Sequence, residues 1–338
     1  MIKLLQFDLY MKGKTNEKDL EECRIIADKC REEAKKRLVG QDEVIDGIMT
    51  AFIAGGHVLL EGVPGLAKTL AIKTFSEISG LEFKRIQFTP DLLPADVSGT
   101  LIYEQAKGSF SVRKGPVFSN VVLADEINRA PAKVQSAMLE AMEERQVTIG
   151  EETYKLPDPF FVLATQNPIE QEGTYNLPEA ELDRFLMKLT VSYPTAEEEM
   201  QIVKTMGKAG EVTVNQILDA KTIKKFKSLV DAIVCDEKII EYIVKIISVT
   251  RPSEKKSSEY DITRYITFGA SPRAGIAMLQ CAKVTALLAG RSFVLPEDIK
   301  VVAPLVLRHR IVLSYEAAAD GITSDEIISR ILDFVPLP

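Results

Sequence analysis

Histidine is almost missing from this 338-residue chain: His57 and His309 are the only two. Neither lies near a cysteine or an acidic cluster in the sequence, which argues against a structural zinc site, and a histidine-dependent catalytic triad has little to build on. The four cysteines, Cys23, Cys30, Cys235 and Cys281, are scattered without a C-x-x-C pair. Cys23 and Cys30 fall two turns apart on one expected helix, about 10 Å along its axis, too far for a disulfide. Four buried thiols in a reducing compartment are expected. No apolar run approaches the length that crosses a bilayer. The opening MIKLLQFDLYMKGK has neither a full apolar core nor a small-residue cleavage site, so the expected location is cytoplasmic. An excess of positive charge is missing too. With 42 Lys and Arg against 49 Asp and Glu, the net charge of -7 gives no overall attraction to nucleic acid or anionic lipid, although a local basic patch remains compatible with it. Internal repeats and low-complexity segments are also lacking.

What is present is an ordinary globular composition, 46% hydrophobic and 27% charged, with length for one larger and one smaller domain. Leu20, Cys23, Ala27, Cys30 and Ala34 recur at helical steps and predict an amphipathic helix ending near Val39-Gly40. Val44, Ile45, Ile48, Met49 and Phe52 predict a second helix running to Gly55-Gly56. Short apolar runs at His57 to Leu60, Phe83 to Phe88, Asn120 to Ala124, Phe160 to Ala164 and Phe185 to Val191 then alternate with helical stretches. That alternation predicts an α/β fold with a parallel sheet covered on both faces. TLIYEQAKGSFSVRKG and QVTIGEETYKL interrupt it and read as two surface hairpins. After Pro194 the strand signal fades and a second, all-helical domain is expected, including a helix capped by Ser271-Pro272 and stopped by Gly290.

His57-Val58-Leu59-Leu60-Glu61-Gly62-Val63-Pro64-Gly65-Leu66-Ala67-Lys68-Thr69 reads as strand, glycine-bearing loop and helix. Gly62 and Gly65 let the main chain approach phosphates closely, and the following helix N-terminus points its N–H groups at them. Lys68 would add a charge between the β- and γ-phosphates, and Thr69 a hydroxyl for Mg²⁺. The cradle spans Gly62, Val63, Pro64, Gly65, Leu66, Ala67, Lys68, Thr69 and Leu70. Ala67 stands where the usual pattern has glycine; it is expected in or near the first helical turn, where a methyl group is tolerated. The same glycines alone would also suit a plain turn. Val121 to Ala124 is an apolar strand ending in Asp125 and Glu126. Asp125 suits the Mg²⁺ shell and Glu126 the orientation of attacking water, although such a pair can also simply favour a helix start. Phe160 to Thr165 is a further buried strand, followed by Gln166-Asn167-Pro168, and Asn167 could reach the γ-phosphate or its water.

In this order the motifs resemble the MoxR family of AAA+ ATPases, within the helix-two-insert group, over about Val39 through Arg273. The resemblance implies a P-loop NTPase sheet domain with a C-terminal helical lid, divided as an N-terminal helical segment 1–38, a nucleotide-binding domain 39–195 and a lid 196–338. It implies ATP and Mg²⁺ as ligands, with Gly40 and Gln41 approaching the adenine. Gly62 to Thr69 is similar to the Walker A of that family, Asp125-Glu126 to its Walker B, and Ala164 to Pro168 to its sensor 1. Glu179 to Phe185 matches its arginine-finger segment, so Arg184 would reach the γ-phosphate of a neighbouring subunit. Ser271-Pro272-Arg273 matches sensor 2, with Arg273 over the phosphates of its own site, and Arg129 is a further trans contact to consider. The hairpins fall where the group carries its helix-two insert and pre-sensor 1 hairpin. A homo-oligomeric ring, expected to be a hexamer, and a protein client or von Willebrand factor A domain partner follow. The competing expectation is a nucleic-acid motor or loader of the MCM-like group: Lys107, Arg113 and Lys114 favour it, while the acidic Gly150-Glu151-Glu152 tip opposes it.

Overall fold

In the computed structural model, which describes residues 16–63, 65–167, 174–175, 177–206, 212–252 and 261–338, all five small or apolar residues expected on one face of the first helix are buried. Helix α1 (Glu17–Lys35) hides Leu20, Cys23, Ala27, Cys30 and Ala34. It stops short of Gly40, because Leu38 turns into the core and Arg37 is held by Glu77 at 2.8 Å and by the Val212 carbonyl. Helix α2 (Asp42–Ala54) ends on Gly55 in the left-handed conformation.

The alternation then unfolds as β1 (Val58–Gly62), α3 (Lys68–Ser79), β2 (Phe83–Gln87), α4 (Pro94–Ser98), β3 (Gly99–Glu104), β4 (Ser109–Lys114), β5 (Val121–Asp125), α5 (Ala132–Glu144), β6 (Gln146–Ile149), β7 (Glu152–Lys155), β8 (Phe161–Gln166), α6 (Glu179–Leu182), β9 (Met187–Val191) and α7 (Ala196–Met206). Five strands form one sheet in the order β2-β5-β8-β1-β9, each neighbouring pair parallel. Strands β1, β5 and β8 are apolar without alternation because helices cover both faces. On one face Phe52 of α2 meets Phe75 of α3 at 5.1 Å and Phe161 of β8 at 5.6 Å, both edge to face. On the other, Val134, Met138, Leu139 and Met142 of α5 join Val122, Ala124, Val162 and Ala164 in one cluster. Each such large side chain contributes roughly 1.5–3 kcal/mol on burial. Parallel strands bring their carboxyl ends to a single edge, where open α/β sheets carry their ligands. The hairpins β3–β4 and β6–β7 are antiparallel pairs separate from this sheet.

β9 is the last strand of this sheet in chain order, yet the compact units divide later, into Cys30–Asp219 and a second unit that starts again at Ala220 and takes in α1 up to Lys29. The segment before Ala220 stays with the sheet unit because the N–H groups of Ile217 and Leu218 both bond the Ile78 carbonyl.

The second unit contains α8 (Ala220–Ala232), α9 (Glu237–Val249), β10 (Ile266–Phe268), α10 (Pro272–Leu288), α11 (Pro296–Leu307), β11 (Val312–Leu313), α12 (Tyr315–Ala319) and α13 (Ser324–Phe334). It is helical apart from the antiparallel β10–β11 ribbon and one bridge between Val234 and Phe293. Those pairings join short connecting segments, which carry too little periodicity to register in the sequence. The Ser271 hydroxyl accepts the Arg273 N–H and Pro272 opens α10, as expected. All four cysteines are free. Cys23, Cys30 and Cys281 are buried, whereas Cys235, outside the helices, is only half-buried. Desolvation pushes the thiols of Cys30 and Cys281 up to about 12, so they stay protonated and inert. Among the described residues no helix is long and apolar enough to cross a membrane.

Candidate functional site

Strand β1 ends at Gly62 and α3 begins at Lys68, so the loop between them sits at the carboxyl edge of the sheet. Pro64 lies outside the described residues. Gly65 has φ +86° and nothing within 4 Å of where a Cβ would stand, leaving its main chain open to a ligand. Ala67 differs from expectation. It is not in the first turn but is the residue before it, with φ 56° and ψ 19°, and its carbonyl accepts the first helical bond from Ala71. This left-handed conformation is the one glycine would take without strain, and for alanine it costs roughly 1–2 kcal/mol. The Lys68 ammonium donates to the carbonyls of Gly62 at 2.6 Å and Gln166 at 3.3 Å, which ties the loop to the end of β8. Thr69 is exposed in the first turn of α3, followed by the half-buried Leu70, and Val63 and Leu66 complete the described part of the loop.

The acid pair meets that edge from the other side of β8. Asp125 is buried, and its Oδ1 accepts the Thr165 hydroxyl at 2.6 Å. The same hydroxyl accepts the Glu126 N–H at 2.8 Å, which fixes Glu126 at φ 57° and ψ 50°. Strained backbone of this kind persists only where its surroundings over-determine it. The carboxylate of Glu126 accepts from Gln87 Nε2 at 2.9 Å and pairs with Arg129 at 3.1 Å. Arg129 therefore faces an acid of its own chain. Asn167 is buried one residue beyond the Gln166 carbonyl that holds Lys68; Pro168 lies outside the described residues.

The remaining residues belong to other elements. Gly40 precedes α2, and a Cβ on it would come within 2.6 Å of the Glu198 carboxyl group; Gln41 is the residue that opens α2. Arg184 precedes β9 and pairs with Glu143 at 3.0 Å, at the amino edge of the sheet. Its neighbourhood includes Leu186, whose N–H bonds the His57 carbonyl. Arg184 is thus a strand length away from Lys68 in its own chain. Arg273 stands in the first turn of α10, in the second unit. His57 is structural: its Nδ1 accepts the Val162 N–H at 3.0 Å and its Nε2 donates to the Met142 carbonyl at 3.1 Å.

On the hairpins, Lys107 pairs with Glu104 at 2.6 Å, and Lys114 lies over the rings of Phe118 and Tyr154 at 4.9 and 5.7 Å. Tyr103 and Phe110 contact each other at 5.3 Å and remain exposed.

The donor set fits a hard divalent cation beside a triphosphate: a threonine hydroxyl, a carboxylate at the end of a buried strand, an ammonium, and open glycine main chain. Thr69 and Asp125 could hold Mg²⁺, with Gly62 to Leu70 around the phosphates. Arg85 and Gln87, each bonded to one of the acids, escape a motif-based reading, and the bonds of Thr165 to both acids could not be read from its place in the sensor 1 match. The signal for the β2 pair was the presence of Lys84, Arg85 and Gln87 in a run otherwise read as a buried strand; β2 lies at the sheet edge and exposes them in part.

A family profile for the ATPase family associated with various cellular activities matches residues 57–187, and one for the AAA lid domain matches residues 258–331. A crystal structure of a candidate ATPase from Cytophaga hutchinsonii superposes with a TM-score of 0.87 at 46% identity, over 95% of this chain and 98% of that one. The chain is 47% identical to Chaperone MoxR1 of Mycobacterium tuberculosis over 90% of its own length and 81% of the relative. It is 32% identical to Protein MoxR of Methylorubrum extorquens over 94% of its own length and 97% of the relative. Identity of this extent, sustained along at least 90% of the chain in each case, makes this protein a member of the MoxR family of AAA+ ATPases.

Proposed function

We propose that this protein hydrolyses ATP with Mg²⁺ and uses the cycle to remodel or mature a protein client, as a cytoplasmic homo-oligomeric ring, expected to be a hexamer, with a von Willebrand factor A domain protein as a partner. The observation that carries the reading is the carboxyl end of β8: Thr165 holds Asp125 and Glu126, Gln166 holds Lys68, and Asn167 follows. Three consecutive residues thereby gather a cation, two acids and an amide at the mouth of a glycine-bearing loop.

In this reading the main chain of the loop and Lys68 grip the phosphates, and Gly40 and Gln41 approach the adenine. Thr69 and Asp125 hold the metal, which when bound neutralises phosphate charge. Glu126 and Asn167 orient a water in line with the γ-phosphorus. Its oxygen bonds to phosphorus as the bond to the β-phosphate oxygen breaks, and its proton passes towards Glu126 or the leaving phosphate. Arg184 of a neighbouring subunit and Arg273 of the lid stabilise the charge that develops. Relaxation of these contacts after hydrolysis is the event that could move the hairpins.

The chaperone reading draws support from the name of the mycobacterial relative, and the cytoplasmic one from four free thiols. Threading of nucleic acid is disfavoured, because Lys107 is neutralised by Glu104 and Lys114 is engaged by two rings. The deciding experiment is Glu126→Gln, in which ATP binding should persist while turnover falls on the order of 10²–10⁴-fold. Parental turnover in the variant would remove Glu126 from its role, and absence of nucleotide binding by the parent would remove the reading altogether.

A further inference from the structure

Asp125 already has a cation on the carboxylate assigned to the metal. Its Oδ2 accepts from Arg85 Nε at 3.0 Å and Nη2 at 2.6 Å, while its Oδ1 is taken by Thr165. A carboxylate offers about four lone-pair positions, so three are filled. Mg²⁺ needs a near-octahedral oxygen set at about 2.0–2.1 Å. The fork fills Oδ2 and leaves a metal only the second position of Oδ1, beside the Thr165 hydroxyl, and the guanidinium opposes an approach to this carboxylate by bulk and by like charge. The side chain of Arg85 is 49% exposed and that of Asp125 only 11%, so the arginine can withdraw into water while the acid stays in place.

Strand register explains why one arginine reaches so far. In the β2–β5 pair, Arg85 stands beside Leu123 and Gln87 beside Asp125, so Arg85, Gln87 and Asp125 project from the same face. Arg85 Nη2 also donates to Gln87 Oε1 at 2.5 Å, and Gln87 Nε2 donates to Glu126 Oε2 at 2.9 Å. One guanidinium thus holds Asp125 directly and Glu126 through an amide.

We propose that Arg85 is a positioning residue that occupies Asp125 in alternation with the divalent metal, so that metal loading expels the guanidinium from the site. The proposal rests on the reading of Asp125 as a metal ligand. Expulsion of Arg85 removes the donor that fixes the Gln87 amide and so slackens the hold of Gln87 on Glu126. Metal arrival and release of the water-orienting carboxylate become one event, and nucleotide without metal leaves Glu126 restrained.

Fluorescence of mant-ADP, in a chain without tryptophan, measures nucleotide binding as Mg²⁺ is titrated into the parent, Arg85→Gln and Arg85→Lys. The half-saturating Mg²⁺ concentration should fall roughly tenfold in Arg85→Gln, the scale of one charged hydrogen-bonded contact. It should fall less in Arg85→Lys, which keeps the charge and loses the fork. Without nucleotide, Arg85→Gln should melt below the parent in EDTA and gain more from added Mg²⁺, since it leaves a buried carboxylate uncompensated. If the parent shows Mg²⁺-dependent binding and both variants show its half-saturation or a higher one, the alternation is wrong while the ATPase reading stands. A parent that binds no nucleotide with Mg²⁺ overturns both. Should Arg85→Gln not fold, the lysine variant decides.

Discussion

Thr165 and His57 are two polar side chains that the packed sheet unit accommodates for opposite reasons. The Thr165 hydroxyl is fully used, donating to Asp125 and accepting from the Glu126 main chain, so it sets the directions of both acids. His57 is kept neutral: burial pushes its pKa from 6.5 down to about 4, and the ring has partners suited to one uncharged tautomer. In the unfolded chain the ring gains a proton below about 6.5, whereas the folded chain resists protonation until about 4. Its contribution is therefore complete above the unfolded value and is lost as pH falls through this window. Between pH 7.5 and 5 the loss should be roughly 2 kcal/mol. Urea midpoints of the parent and His57→Asn at both pH values test this, the variant starting less stable at pH 7.5 and losing correspondingly less. Parallel curves would refute the assignment.

At the scale of elements, the start of α3 carries its own strain, because Ala67 holds a left-handed conformation immediately before Lys68. Ala67→Gly should stabilise the fold by up to about 1 kcal/mol, the steric relief of roughly 1–2 kcal/mol being partly offset by the greater freedom of glycine in the unfolded chain. Ala67→Val should act in the opposite direction, since a β-branched residue tolerates positive φ least. Denaturant midpoints give both signs; a stabilising valine would mean that the loop does not hold this conformation in solution. Strand β2 is the element whose sequence misleads. Read as one of the buried runs, it is an edge strand whose Ile86 enters the core while Lys84 and Arg85 are exposed. A run this short does not distinguish an edge from a centre.

For the whole molecule, the decisive separation is between Lys68 and Arg184. Gly62 pairs with Val191 at the carboxyl end of β9 and Arg184 precedes its amino end, so the five-residue length of β9, about 16 Å of strand, separates the two edges. An arginine at that edge lies away from the Lys68 of its own chain, so the finger role proposed for it requires the site of another copy. Arg184→Ala should keep ATP binding and lose on the order of 10³-fold or more in turnover. Mixed in equal amounts with Lys68→Ala, it should recover about one quarter of parental turnover, the share of head-to-tail interfaces that combine an intact lysine with an intact arginine. No recovery on mixing would confine Arg184 to its own chain.

The amino-acid sequence by itself determined the local and periodic features: the apolar faces of α1 and α2, the five strand runs, the two hairpins, the Ser271 cap, and the order of loop, acid pair and asparagine that carries the family resemblance. Each depends on residues a few positions apart, where spacing alone specifies geometry. Only the tertiary structure decided that Arg85 and Thr165 converge on Asp125, each from forty residues away along the chain. It also decided that Ala67 and Glu126 adopt positive φ and that Arg184 lies at the edge opposite Lys68. These follow from the order and register of parallel strands, which are set by packing across long connections and leave no periodic trace in the chain.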